Sequence, residues 1–530
     1  MTGFIKKALF CAVALSMFAS YAAIAQESAD ASSVEQTLEA KEAGNKEKPV
    51  KEKKAKKEKP AKEKKAKKEK TPKAEKPVKE KPQKAPKVKK MKFDQAAYDE
   101  AFQAGDYNTC ASMLLGKGNE RNAVKDMLDA DMLMYFNENY LGSGKGFLET
   151  YGKMQQSTAD MSGGKAVGAA FSSENSVKYS GAEYERYLAW SMRLACALNM
   201  NQADVAKGIM KDYVGTFMDE IQALRALNEE MEKESEESLE SDKFKNAQSS
   251  LSGNGVSFTF GEPPKKSDVK YENSPFFNYL GTLAYAMNDD FDHAEEFAAT
   301  YKVQNMGEVL NVPAKKGRLE VVVLSGLIGQ REDATAGIAP VATVIEVPGV
   351  NRQAVLYTKL SYPTFKDQKH AINGARVSLS NGSSATATLV EDFDEAVKID
   401  VARKAYGAYS RSVFRNVVKN SAAVASVVAA GIALDQAASQ SAIAAAVGEI
   451  ALSKAIDALA RVVAQKERAD IRQGVYFPNK ASAAGFSVAP GTYSVKVEYL
   501  NGGSVVETKT IENIVVNEGK VSVAVSSCEK

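Results

Sequence analysis

The chain has 530 residues, 44% of them hydrophobic and 26% charged, with a formal net charge of +3. That length and apolar content leave room for several domains with cores of their own and exclude a wholly disordered chain. The small net charge conceals an asymmetry: residues 41–90 hold 23 Lys and 8 Glu, a local +15, which leaves 3 − 15 = −12 for the remainder.

Residues 1–25 have the pattern of a secretory signal. "MTGFIKK" is a basic start, "ALFCAVALSMFASYAAI" an apolar run, and Ala23-Ile24-Ala25 a small-residue cleavage site before Gln26. The alternative is an uncleaved N-terminal anchor. Cys11 lies inside the apolar run, without the small residues that precede a lipidated cysteine. No later apolar run reaches the roughly 18 to 20 residues that span a bilayer. The pattern therefore predicts an exported protein of the periplasm or cell envelope, soluble or peripheral to a membrane.

Residues 26–91 follow as a Lys/Glu/Pro-rich linker. From Ser28 to Lys90 there is no aromatic residue, and "KEKKAKKEKPAKEKKAKKEKTP" writes one 11-residue unit nearly twice. Such a composition cannot bury enough apolar surface to offset chain entropy, so disorder is expected. Lysine tracts neutralise phosphates, but export and the lack of interleaved aromatics argue against nucleic acid. Anionic lipids, lipopolysaccharide phosphates and wall polymers are the polyanions an exported strap would meet.

Order is expected from about residue 92. Residues 92–310 read as a helical domain. In "FDQAAYDEAFQAGDYNTCASMLLGKG" apolar residues recur at helical spacing, "AGDY" breaks the helix, and Asn108 or Thr109 restarts it as a cap. This helix–turn–helix cadence is tetratricopeptide-like, and "FFNYLGTLAYAMNDDFDHAEEFAATYKV", residues 276–303, is a second unit of the kind. A loop is expected from about Ser238 to Ser274, carrying part of the acidic run Glu229 to Asp242, which has 8 acids and one Lys.

From Gly317 the pattern turns to strands. Residues 311–400 are β-rich, with a hairpin signal at Asn381-Gly382. Residues 401–470 return to basic and Ala-rich helices, and residues 471–530 form a C-terminal β module with alternating Tyr493, Val495, Val497 and Tyr499. The fold class is therefore α+β: a tetratricopeptide-like helical array, then a β-rich domain with an Ala-rich helical hairpin insertion.

In the basic helix Arg411, Arg415 and Lys419 recur every four residues and share one face. With Arg403 and Lys404 they form a stripe. It suits contact with an anionic lipid or phosphate surface, or pairing with acids elsewhere in the fold. The Ala/Gly segment beyond it has small residues at four-residue spacing, Ala423, Val427 and Gly431. Its longest uncharged run, Ser421 to Leu434, spans about 21 Å as helix, short of a bilayer core. A packed soluble hairpin and a membrane-inserting one both fit residues 421–452. Asp470 and Arg472 alternate where helix hands over to strand, as a structural ion pair would.

Catalytic patterns are missing. The two histidines, His293 and His370, have no nucleophile motif beside them, and there is no GxSxG, HExxH or P-loop. No catalytic residues, cofactor or metal site are expected. Cys110, Cys196 and Cys528 remain after cleavage; the odd number permits one disulfide and one free thiol, whereas Cys110 and Cys196 lie in helical apolar settings suited to buried thiols.

Five stretches taken together carry a resemblance: "YSGAEYER" (179–186), "NSPFFNYLGTLAY" (273–285), "GRLEVVVLSGLIGQRED" (317–333), "VARKAYGAYSRSVFRNVVK" (401–419), and "RADIRQGVYFP" with "PGTYSVKV" (468–497). In that order, over about residues 93 to 500, the chain resembles an uncharacterised family of bacterial cell-envelope proteins with a tetratricopeptide-like N-terminal half and a β-containing C-terminal half. The family tends to have Pro where Gly329 stands and Trp where Gly474 stands, and it lacks the lysine strap. The resemblance implies an envelope location and, for some members, a neighbourhood of outer-membrane assembly factors and peptidoglycan-synthase activators. It implies no catalytic activity. The expected role is a protein–protein interaction adaptor with an envelope protein as partner. The alternative is a tether whose strap binds anionic polymers or lipids, with peripheral membrane contact.

Overall fold

The computed structural model describes residues 93–161, 168, 170, 171, 173–258, 260–334, 341–346, 353–438, 450 and 467–530. The signal pattern, the lysine strap and most of the second arm of the expected Ala-rich hairpin lie outside the described residues.

The chain is mixed α and β, with helices in the N-terminal half and sheets in the C-terminal half. α1 (Gln95–Gln103) is capped by the Asp94 side chain, and α2 (Tyr107–Gly116) by Asp106, which accepts from the Thr109 N–H. The cap is thus Asp106, not Asn108 or Thr109: a carboxylate at the break reaches the same free N–H groups one turn earlier. α3 (Ala123–Phe136), α4 (Tyr140–Met161), α5 (Glu183–Asn199) and α6 (Ala203–Asp212) follow, and a π-helical turn at Tyr213–Phe217 leads into α7 (Met218–Ser238). The loop expected from Ser238 instead holds α8 (Asp242–Gly253), whose first turn is capped by the Ser241 hydroxyl; only its second part is irregular. α9 (Pro275–Ala286), α10 (Phe291–Tyr301) and the short α11 (Gly307–Leu310) complete the helical half. α5 is its centre, flanked by α4, α6 and α9, with Tyr187, Leu188, Met192 and Leu194 almost wholly enclosed.

Twelve strands are described. β1 (Gly317–Ser325) pairs in parallel with β12 (Val521–Cys528) and antiparallel with β9 (Lys480–Val488), and β8 (Thr388–Asp392) completes the first sheet in the order β12-β1-β9-β8. The second sheet runs β11 (Ser504–Val516), β10 (Gly491–Asn501), β6 (Gly374–Leu379), β7 (Ser384–Thr386). β2 (Gln330–Asp333) pairs with β5 (Pro363–Lys366), and β3 (Val341–Glu346) with β4 (Gln353–Thr358). The expected hairpin at Asn381-Gly382 joins β6 to β7, with Gly382 at φ +88°, a conformation that favours glycine. Strands from 317–392 and from 480–528 share both sheets, so the β-rich region and the C-terminal module are one unit rather than two.

The two large sheets pack face to face around Leu319, Val321, Phe486, Val495 and Val497. The other face of β1 lies on the helices, where Val322 and Leu324 join Phe276, Phe393 and Leu280. Burial on both faces explains the apolar run "VVVL", residues 321–324, which is not the alternation of a half-exposed strand. Gly485 stands opposite Glu320 in the register, and a Cβ there would collide with Arg318 and Glu320. Glycine leaves room for that buried Arg318–Glu320 pair, 2.6 Å apart, to lie across β9.

α12 (Phe393–Ala438) is one helix of 46 residues that joins the basic and Ala-rich segments. Val413, Val417, Val424 and Val427 pack it against α8 and the chain around Val256. Among the described residues no helix is long and apolar enough to cross a membrane. Cys110, Cys196 and Cys528 are buried free thiols.

Candidate functional site

Where the helical half meets the sheets, a cleft of about 140 Å³ opens between α4, α7, α12 and the irregular segment 467–479. Its wall is formed by residues far apart in the chain, among them Tyr179 and Glu183, Arg331, Arg403 and Arg411, and Asp470 and Arg472.

The segment 467–479 has no regular structure, so its backbone groups need partners from elsewhere. The Gly474 N–H donates to Glu185 at 2.7 Å and the Val475 N–H to Asp129 at 2.7 Å. The Gln473 side chain bonds both ways to β2, accepting from the Arg331 N–H and donating to the Gly329 carbonyl. Tyr476 meets Tyr98 hydroxyl to hydroxyl at 2.7 Å. Buried acids of α3 and α5 thus hold the strap that closes the cleft. A Cβ at Gly474 would stand 2.8 Å from the Phe477 ring and 3.3 Å from Leu128. A tryptophan there would displace Phe477. Likewise the Gly329 N–H donates to Asp394 at 2.6 Å, a bond that a proline cannot make.

The sequence-predicted residues divide into four groups. Asp470 and Arg472 form the expected ion pair, bidentate with both distances 2.7 Å, and Arg472 also donates to the carbonyls of Arg121 and Val177. Arg411 and Arg415 are not on a surface stripe. Arg411 is buried and bidentate on Glu174, at 2.8 and 3.0 Å. Arg415 is 1% exposed and lies between Glu174 at 3.0 Å and Glu467 at 2.9 Å. The face expected to meet an anionic surface is turned inward at these two positions, because acids far away in sequence neutralise it. Arg403 and Lys404 do face the cleft; Lys404 pairs with Asp400 at 2.8 Å, and Arg403 has Glu229 at 3.8 Å. Lys419, two turns beyond Arg411, is half-buried and does not line the cleft.

Three further groups were not legible in the sequence. Arg331 is buried, donates to Asp400 at 2.6 Å and lies over the Tyr184 ring, while its Nε has no partner. Glu174 sits in a single 3₁₀ turn, 237 residues before Arg411, with no local pattern to mark it. Glu232 lines the cleft with a buried Oε1 that has no partner, and burial raises its pKa. For Glu174, burial alone would do the same, but Arg411 and Arg415 outweigh it and hold the carboxyl below its usual range. Asp400 is held down in the same way by Lys404 and Arg331, and Asp470 by Arg472.

Chemically, the cleft offers cationic donors at Arg403 and Lys404 and an unsatisfied acceptor at Glu232. Among the described residues, no histidine or cysteine lines it. A ligand carrying both donors and acceptors, such as an extended stretch of polypeptide, matches that set. A second cavity, of about 550 Å³ between α9, α10 and the edge of β9, is lined mainly by small and neutral side chains such as Thr386, Thr388 and Ala484 and has less converging charge.

No family model, curated protein or solved structure matches the chain.

Proposed function

We propose that the chain is an exported, non-enzymatic cell-envelope adaptor, in which a tetratricopeptide-like helical array and the adjoining cleft hold a polar segment of an envelope protein partner. The reading rests on one observation above the others. At the seam of helices and sheets, Arg403, Lys404 and the orphaned Glu232 Oε1 face one cleft whose walls are braced by buried ion pairs. Braced walls keep donors and acceptors in place before a partner arrives, which lowers the ordering cost of binding. The signal-like pattern of the first 25 residues supports an envelope location.

The alternative is a tether. Its support is the local +15 of residues 41–90, which would hold anionic lipids or wall polymers by charge alone. Affinity capture from envelope extracts separates the two. For the adaptor, a defined protein is retained at about 0.5 M salt, where exposed charges are strongly screened. It is also retained after deletion of residues 41–90, and it is lost on Arg403→Glu with Lys404→Glu. Loss on the deletion, with the cleft variant unaffected, would favour the tether.

A further inference from the structure

Away from the cleft, two acids and one of the chain's two histidines converge where the long helix begins. Asp367 and His370 lie on the loop between β5 and β6, and Asp394 is in the first turn of α12. One ligand atom from each lies within 4.8 Å of the others. His370 Nε2 and Asp394 Oδ2 are 3.1 Å apart. Two donors about 2.1 Å from one ion are about 3.0 Å apart when adjacent in an octahedron and about 3.4 Å apart in a tetrahedron, so the spacing of this hydrogen-bonded pair is also one that a shared cation accepts. Asp367 is exposed on its loop and needs only a side-chain movement to complete the set.

The buried half of this site is already oriented. Asp394 Oδ1 accepts from the Gly329 N–H at 2.6 Å, which leaves Oδ2 for His370. Fixing a ligand through its other oxygen is how metal sites hold their geometry. A second observation lies beside it. Asn479 is 2% exposed, and its side-chain nitrogen has no partner. Its backbone carbonyl accepts from the Phe393 N–H, next to Asp394. A Cβ placed on Gly326 would be 3.1 Å from the Asn479 Cβ and 3.2 Å from His370 Nδ1, so the Asn479 side chain and the Nδ1 edge of the histidine flank the same glycine. Buried amides without partners are rare, and this one belongs to a side chain packed beside the histidine.

We propose that Asp367, His370 and Asp394 bind a divalent transition-metal ion, with water completing its coordination. One imidazole among carboxylates suits Zn²⁺ better than Mg²⁺ or Ca²⁺. Bound there, the ion ties the 367–370 loop to the start of α12 and, through Gly329, to the strand that carries Arg331. The charges balance, two carboxylates and a neutral imidazole against one dication.

The test uses the full chain without a histidine tag, stripped with chelator and titrated calorimetrically with Zn²⁺, Mn²⁺ and Ca²⁺. The expected result is one Zn²⁺ per chain, with Mn²⁺ and Ca²⁺ each weaker by about tenfold or more. His370→Ala and Asp367→Asn should each weaken Zn²⁺ by about tenfold or more, and His293→Ala should leave it unchanged. Asp367 is exposed on its loop, so its variant folds irrespective of the site. Absence of saturable Zn²⁺ binding overturns the proposal and leaves His370 and Asp394 as a hydrogen-bonded pair. Full affinity in either ligand variant overturns it as well, as does a preference for Ca²⁺.

Discussion

Between the two sheets the inward side chains are apolar, among them Leu319, Val321, Phe486 and Val497. At the seam between helices and sheets they are arginines and acids, with Arg415 enclosed by Glu174 and Glu467. The two regions bury their groups equally well by opposite chemistry. An apolar layer is held by area and shape, and it tolerates replacement by other apolar groups of similar volume. A buried ion pair gains little net stability over an apolar pair, because desolvation offsets the attraction, yet losing one partner leaves a bare charge inside. The seam is therefore the part of the molecule where single changes should do most harm and paired changes least.

The largest effect is expected from Arg415→Ala, which leaves Glu467 without its cation and Glu174 with Arg411 alone. Urea unfolding should show a loss of about 3–5 kcal/mol. Arg415→Met combined with Glu467→Met should recover most of that loss. If the double variant is no better than the single one, the contrast between seam and sandwich fails. In the sandwich, Leu319→Ala should lose about 2–5 kcal/mol through the cavity it leaves, and no second substitution of a charged residue should restore it.

A pH series sharpens the contrast, because two sets of buried acids act with opposite sign. Burial pushes Glu391 up to about 6, against hydrogen bonds from Ser274, Tyr271 and the Phe276 N–H that pull it down. Its folded value lies above its ordinary 4.5, so the folded state binds the proton more tightly. Its contribution is complete below about 4.5 and is lost as pH rises through about 6, in total about 2 kcal/mol. Glu391→Gln should flatten the stability curve over that interval. Glu174, Asp400 and Asp470 are held below their ordinary values. Their contribution is present above the ordinary carboxylate range and is lost as pH falls through their lowered values. Acid unfolding should therefore begin at the seam, seen as early loss of protection at the Arg472 amide, which donates to Asp470, in hydrogen exchange.

The smallest effect is expected at the sandwich's own polar link, where the Tyr499 hydroxyl meets Ser526 at 2.7 Å in a buried setting. Tyr499→Phe should cost about 1 kcal/mol by thermal unfolding, well below Arg415→Ala. A larger loss would mean that the sandwich also depends on polar contacts.

The sequence showed what depends on local pattern. Helical spacing marked α1, α2, α9 and α10, the Asn381-Gly382 signal marked the β6–β7 hairpin, and alternation marked β10. What depends on distant pairing was hidden. The spacing of Arg411 and Arg415 revealed one face of a helix, but nothing near them showed that Glu174 and Glu467 would enclose that face. The parallel pairing of β1 with β12 joins residues about two hundred apart, so two regions separated in the chain fold as one unit. The Ser241 cap that starts α8 lies in an acid-rich stretch that reads as loop. Of the candidate site, the Asp470–Arg472 pair and the Arg403–Lys404 donors were visible, because each lies within a few residues of its partner in the pattern. The Asp367, His370 and Asp394 cluster was not, since its third member lies 24 residues beyond its second.

The central claim is that the cleft, rather than the lysine strap, carries the binding role. Its most direct measurement compares captured partner across three chains at about 0.5 M salt: unchanged, lacking residues 41–90, and with Arg403→Glu and Lys404→Glu. The account predicts the same defined protein on the first two and its loss on the third. Retention by the cleft variant together with loss on the deletion would contradict it.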